Sequence, residues 1–303
     1  MPLSRRGLLA FALLTAAGCS GRSDAALRLR LATGAVGGAY EALGRRFAVE
    51  LRRGGFTVEV LATAASVENL EMLADGRADL AFALADSADV AVRVRRTPVA
   101  ALARLYLNYI HLVVLADSPI RTPADLAGRP VSVGAEGSGT AFTAERVLAH
   151  AGLSKPVRIS RLGLYESLGA LAEGRVEAFF WSGGVPTPAL AEATTRIRLL
   201  PLDGPAAALR RTYGPMYESV AVPAGEYGAA GPVPTVGTPS YLVCRANLPE
   251  DVAFTVTETL FSSRDRLQAP EAAGGRLDKR YAIGTGAVPL HPGAARYYRS
   301  VYG

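Results

Sequence analysis

The sequence predicts an α/β protein made of two βαβ lobes, joined by two crossing strands and separated by a ligand cleft. Three observations carry this. Strand-like apolar runs alternate with helix-like stretches along most of the chain. The alternation begins at Leu27, is interrupted by a long apolar passage from Val99 to Ala116, and restarts at Pro130. A further apolar run, Tyr241-Leu242-Val243, follows a Gly/Pro-rich stretch and reads as the return crossing. In open α/β sheets ligands sit beyond the carboxyl ends of the strands, so the cleft belongs at the strand-to-helix turns.

The first unit opens with a strand from Leu27 to Ala32, a glycine-rich loop Thr33 to Ala39, and a helix from about Tyr40 to Arg52. A strand from Phe56 to Leu61 follows. Ser66 starts a helix that Gly76 ends, and Ala78 to Leu84 is the next strand. The passage from Val99 to Ala116 is expected to divide near Asn108 as it crosses between lobes. In the second unit, Pro123 to Leu126 is a short helix, Pro130 to Val133 a strand, Ala141 to His150 a helix and Val157 to Leu162 a strand. Helix Tyr165 to Ala172, buried strand Val176 to Trp181, helix Pro188 to Ala193 and strand Ile197 to Leu202 complete it. A Gly/Pro-rich stretch from Pro223 to Pro239 then precedes the return crossing at Tyr241-Leu242-Val243. Helices from Pro249 to Phe261 and from Pro292 to Tyr302 end the chain.

These elements assign residues 27–116 and 240–303 to lobe I and 117–239 to lobe II. Ahead of them, residues 1–18 have the form of a bacterial export signal: Arg5 and Arg6, an apolar stretch Leu8 to Leu14, then Ala16-Ala17-Gly18. The apolar stretch is too short to span a bilayer of about 30 Å as a helix. Cys19 follows as in a lipobox, which makes it the expected lipidation site, residues 19–26 a lipidated linker, and the membrane surface a partner. Ser4-Arg5-Arg6-Gly7-Leu8-Leu9 also fits a twin-arginine signal, so the export route stays open. The expected location is the extracytoplasmic face of the cytoplasmic membrane or the periplasm. With Cys19 lipidated, Cys244 has no partner for a disulfide and reads as a small buried thiol.

Among the 303 residues, Lys+Arg 33 against Asp+Glu 27 gives a net charge of +6, with both signs mixed along the chain. That pattern argues against nucleic acid as a partner. Lys155 precedes Pro156 and Lys279 precedes Arg280, which excludes a P-loop. The glycines at 34, 37 and 38 and at 134, 137 and 139 do not match dinucleotide spacing. Neither Ser138 nor Ser182 lies in G-x-S-x-G. His111, His150 and His291 have no metal-ligand spacing, so no metal and no cofactor is expected. His111 lies in an apolar strand and His150 at a helix end, both structural positions. Pairs such as Asp86 with Asp89, or Glu68 with Glu71, are expected on exposed helices and assign no acid/base couple. No catalytic residue emerges, and the chain is expected not to be an enzyme.

What remains is binding. Three segments place small polar residues between strand and helix: Thr33 to Tyr40, Ala62 to Asn69 and Gly134 to Thr140. At a helix N-terminus the first amides lack intrahelical acceptors and the dipole supplies about half a positive charge, which suits an anion. Thr33, Ser66, Asn69, Ser138 and Thr140 can add side-chain hydrogen bonds. Gly37, Gly38 and Gly139 admit a ligand to the backbone, and Tyr40 and Trp181 can wall the cavity.

These residues resemble the TAXI-type substrate-binding proteins of TRAP transporters, over about Leu27 to Tyr302. The matching strings are Ala32 to Tyr40, Ser66-Val67-Glu68-Asn69-Leu70 with Gly76 and Ala78-Asp79-Leu80, Gly137-Ser138-Gly139-Thr140, Ser182 to Pro188, and His291 to Tyr298. The resemblance implies a type II periplasmic-binding-protein fold closing over a small organic anion, and a TRAP membrane permease as partner. It adds Gly34, Ser182, Gly183 and Pro186 to the candidate ligand-binding residues and suits a monomer. Family members bind glutamate, glutamine or 2-oxoglutarate among other solutes. Two departures point to a less polar pocket here: apolar residues around Leu84 where a glutamine is common, and Ala35-Val36 in place of a small polar pair. A sensory module reporting to a membrane kinase would use the same bilobed protein.

Overall fold

The computed structural model describes residues 27–267 and 277–303; the expected export signal 1–18, Cys19 and linker 19–26 lie outside the described residues. Ten strands form one continuous sheet: β1 Arg28–Ala32, β2 Thr57–Leu61, β3 Leu80–Leu84, β4 Val99–Leu115, β5 Pro130–Ser132, β6 Arg158–Ser160, β7 Ala178–Gly183, β8 Ile197–Leu199, β9 Glu218–Val222 and β10 Val233–Arg245. The helices are α1 Ala39–Arg53, α2 Ser66–Ala74, α3 Ala85–Arg93, α4 Gly139–Ala149, α5 Leu164–Ala172, α6 Pro188–Ala191, α7 Asp203–Tyr213, α8 Glu250–Ser262, α9 Arg264–Leu267, α10 Lys279–Ala282 and α11 Pro292–Tyr302.

The strand order β2-β1-β3-β10-β4-β7-β5-β6 contains the same arrangement twice. In lobe I, β2, β1 and β3 are parallel and the C-terminal half of β10 adds antiparallel to β3, with Tyr241 opposite Ala83. In lobe II, β6, β5 and β7 are parallel and the C-terminal half of β4 adds antiparallel to β7, with His111 opposite Trp181. Each lobe thus borrows a strand that also runs through the other. β4 and β10 pair with each other from Gly237 opposite Tyr109 to Arg245 opposite Val99, with an irregularity between Pro239 and Tyr241. Proline has no N–H to give the ladder, which favours a bulge there.

The patterning explains the layers. β3, LAFAL, is buried at all five positions, as a strand covered on both faces must be. On α1, Tyr40, Leu43, Phe47 and Leu51 face the core while Arg45, Arg52 and Arg53 lie on its other faces. One apolar core gathers residues from Leu29 to Tyr106 with Leu242 to Tyr298; another, on the far side of the crossing, runs from Ile110 to Val236.

Three expectations are corrected. β4 is one continuous strand of 17 residues with no division at Asn108, because Asn108 stays paired opposite Thr238. The return crossing begins before Tyr241: β10 starts at Val233, inside the Gly/Pro-rich stretch, and its Pro234 lies opposite Ala221 of β9. Asp86 is not on an exposed face; α3 buries it completely. Helix α7 and strand β9 are further elements that the sequence reading does not contain. The Asp203-Gly204-Pro205 start of α7 has the composition of a turn, yet proline is compatible with a helix's first turn.

Candidate functional site

Two loops of matching geometry face one another across the molecule. Gly34-Ala35-Val36-Gly37-Gly38-Ala39-Tyr40 follows β1, and Gly134-Ala135-Glu136-Gly137-Ser138-Gly139-Thr140 follows β5. In the first, Gly38 N–H donates to Ala35 O over 3.0 Å; in the second, Ser138 N–H donates to Ala135 O over 3.1 Å. Gly37 and Gly137 take φ of 79° and 73°, a left-handed conformation that glycine adopts without steric cost. Each loop leads straight into a helix, with Gly38 and Ser138 as N-caps.

The loops after β2 and β6 repeat the arrangement with Ala65 and Gly163 as N-caps of α2 and α5. Ala65 holds φ 85° and ψ −147°, a strained conformation for a residue with a Cβ. Two hydrogen bonds fix it, Ala65 N–H to Thr63 Oγ1 at 3.0 Å and Asn69 N–H to Ala65 O at 3.1 Å.

All four N-caps line a single pocket, and none of its lining side chains among the described residues is charged. Leu84, Leu162, Leu164 and Trp181 supply apolar wall; Asn108, Ser66, Thr140 and Ser182 supply polar groups. The amides of Ala39, Tyr40, Gly139, Thr140 and Leu164 lie in first turns, where a helix offers them no acceptor. Ser182 Oγ is shielded from solvent and has no hydrogen-bond partner among the described residues. At the floor, Tyr40 Oη and Ser240 Oγ are 2.8 Å apart, and Asn108 Nδ2 donates to the same Ser240. Burial pushes the Tyr40 hydroxyl well above its ordinary pKa, so it stays neutral.

The lobes meet around this pocket. Gly137 O accepts from Val67 N–H at 3.1 Å and Glu68 N–H at 3.0 Å, joining lobe II to the start of α2. Thr143 Oγ1 of α4 donates to Asp86 Oδ2 over 2.6 Å. A Cβ added to Gly139 would collide with Ser66 Oγ and lie 2.8 Å from Leu84 Cδ1, so this helix start can approach lobe I only as glycine.

The family model for the NMT1-like family matches residues 31–301. The chain belongs to the NMT1-like family. Among solved structures, that of Tv2483 bound to L-arginine is similar with a TM-score of 0.53 at 13% identity, covering 84% of this chain and 93% of that one. The periplasmic aliphatic sulphonate binding protein SsuA from Escherichia coli matches at 17% identity and a TM-score of 0.46, over 90% of this chain and 83% of that one. The alkanesulfonate-binding SsuA from Xanthomonas axonopodis pv. citri, bound to MOPS, matches at 17% identity and 0.48 over the same shares. With the strand order above, the fold is that of the two-lobed type II periplasmic binding proteins.

In this NMT1-like protein, the sequence-selected residues Gly34, Gly38, Tyr40, Ser66, Ser138, Gly139, Thr140, Trp181 and Ser182 line the pocket, whereas Thr33, Gly37, Asn69, Gly183 and Pro186 do not. Thr33 is spent on Leu61 O at 2.8 Å. Asn69 is a buried tie: its Nδ2 donates to Thr33 O and to Phe82 O, each at 2.7 Å, and its Oδ1 accepts from Thr63 Oγ1 at 2.6 Å. Gly37 sits at the mouth, where an added Cβ would lie 2.9 Å from Tyr165 Oη. Sequence reasoning missed the loop Leu162-Gly163-Leu164, and with it Asn108. The signal was present: this loop occupies in the second βαβ unit the position of Ala64 to Ser66 in the first.

Proposed function

We propose that this protein is an extracytoplasmic solute receptor of the TAXI type, which closes over a small organic anion and hands it unaltered to a TRAP permease. The observation that carries the reading is the convergence of four helix N-termini, two from each lobe, on one uncharged pocket. Each contributes partial positive charge, and α1, α4 and α5 contribute free first-turn amides, so an acidic group brings the only full charge into the pocket and binds as the lobes meet. Closure supplies the shape a permease would recognise. Capture needs no reactive group, and a receptor role accounts for the lining without one. Cys19 is proposed to carry the lipid that keeps the receptor at the membrane, which intact-mass measurement of the exported chain checks directly.

Isothermal titration with carboxylates, sulfonates, amino acids and keto acids tests the receptor reading. The expected result is saturable, stoichiometric binding of one anionic class, with the compound recovered intact. Conversion of the compound, or no binding across all classes, would overturn it.

A further inference from the structure

The pocket's lining specifies more than an anion. Resting on the receptor reading, we infer that the ligand carries one acidic head on an apolar body and bears neither an ammonium group nor a second acid. The four N-termini favour negative charge, and they disfavour positive charge by the same amount. An ammonium group placed in the pocket would face those dipoles with no acidic side chain in the lining to pair with it, since Glu41, Glu68 and Glu166 of the first turns lie outside the lining. Burying an unpaired charge costs far more than a hydrogen bond returns.

A second acidic group meets a different obstacle. Away from the amides and from the polar side chains of Ser66, Asn108, Thr140 and Ser182, the wall is the side chains of Leu84, Leu162 and Leu164 and the Trp181 ring. A carboxylate there would lose its water and gain no donor, whereas a hydrocarbon chain or aromatic ring would bury against it favourably. Ser182, whose Oγ is enclosed and unpartnered among the described residues, belongs to the same lining. Sulfonate and carboxylate heads share this chemistry, and the test separates them.

The experiment compares ligands on matched skeletons: hexanoate, hexanesulfonate, norleucine, adipate and hexanamide, then the same five variations on butanoate and 3-phenylpropanoate, each titrated into the full exported chain. On every skeleton that binds, the monoacid is expected to exceed the amino acid, the diacid and the amide by tenfold or more in affinity. The ratio of carboxylate to sulfonate identifies the head. Equal or tighter binding by norleucine, adipate or their counterparts would overturn the inference while leaving a solute receptor in place. Binding confined to sugars, cations or neutral amides would overturn it likewise. No binding to any of these or to a broad solute library would remove the receptor reading itself, and the inference with it.

Discussion

Tyr217 Oη donates to Asp86 Oδ2 across 2.8 Å, a hydrogen bond from lobe II to a fully buried carboxylate of lobe I. Thr143 Oγ1 reaches the same oxygen, Ser87 N–H donates to Asp86 Oδ1 at 2.7 Å, and Arg146 Nη1 donates to Tyr217 Oη at 2.9 Å. These groups form a latch beside the ligand pocket. Burial pushes the Asp86 carboxyl above its usual range, against the Thr143, Tyr217, Arg146 and Ser87 contributions that lower it. A carboxyl with a higher pKa in the closed state than in water holds its proton better there. Where opening of the lobes returns this carboxyl to water, closure gains as pH falls through the raised value and weakens as pH rises.

The latch predicts two behaviours of variants. Asp86→Asn is expected to flatten this pH dependence of ligand affinity, measured as the difference from the parent protein across acidic to neutral pH. Asp86→Ala is expected to weaken binding at every pH, because the Thr143 and Tyr217 hydroxyls lose their acceptor; each buried unpaired group costs about 1–3 kcal/mol. Parent-like pH dependence in Asp86→Asn would show that the carboxyl does not titrate with closure.

His111 predicts the opposite sign for global stability. Burial pushes its pKa down to about 4 from the ordinary value of 6.5, and Tyr227 Oη lies 3.3 Å from its Nε2. The unfolded chain takes up the proton first, so stability is fully present above pH 6.5 and is lost as pH falls toward 4. The shift corresponds to about 3 kcal/mol. Denaturant melts of the parent and of His111→Gln between pH 4 and 7.5 check this: the parent is expected to lose stability on acidification more steeply than the variant.

Gly139→Val is expected to hold the lobes apart, since Ser66 and Leu84 of lobe I occupy the space of any side chain there. Affinity should fall at least tenfold while far-ultraviolet circular dichroism stays native, and small-angle scattering with ligand should report the open dimensions. Parent-like affinity would exclude close approach of α4 to lobe I during binding.

Ser182→Ala separates stability from binding. Removing an enclosed hydroxyl that has no partner among the described residues is expected to leave the unliganded melting temperature unchanged or raise it. Affinity for the acidic ligand should fall several-fold. A lower unliganded melting temperature with unchanged affinity would make Ser182 a structural residue.

Much of the frame was legible because apolar periodicity reports burial. Pro292 to Tyr302 is helical as the sequence indicated, and the restart at Pro130 marks the second βαβ unit. The glycines at 34, 37, 134 and 137 also announced the paired loops on either side of the cleft. What was not legible depends on contacts distant in sequence. Asp86 looks like any helical acid until Tyr217, 131 residues away, closes over it. Asn69 has the chemistry of a ligand donor but is consumed by Thr33, Thr63 and Phe82. Pro234 and Pro239 have the composition of loop, yet β9 and the bulge beside β4 accommodate them in a strand.

A crystal structure of the protein with its tightest-binding acid tests the central claim most directly. The account predicts the acidic group between the lobes, within hydrogen-bond distance of the first-turn amides of α1 and α4 at Ala39, Tyr40, Gly139 and Thr140, with its carbon skeleton against Leu84 and Trp181. An acid held by an arginine side chain, or bound outside this pocket, would contradict it.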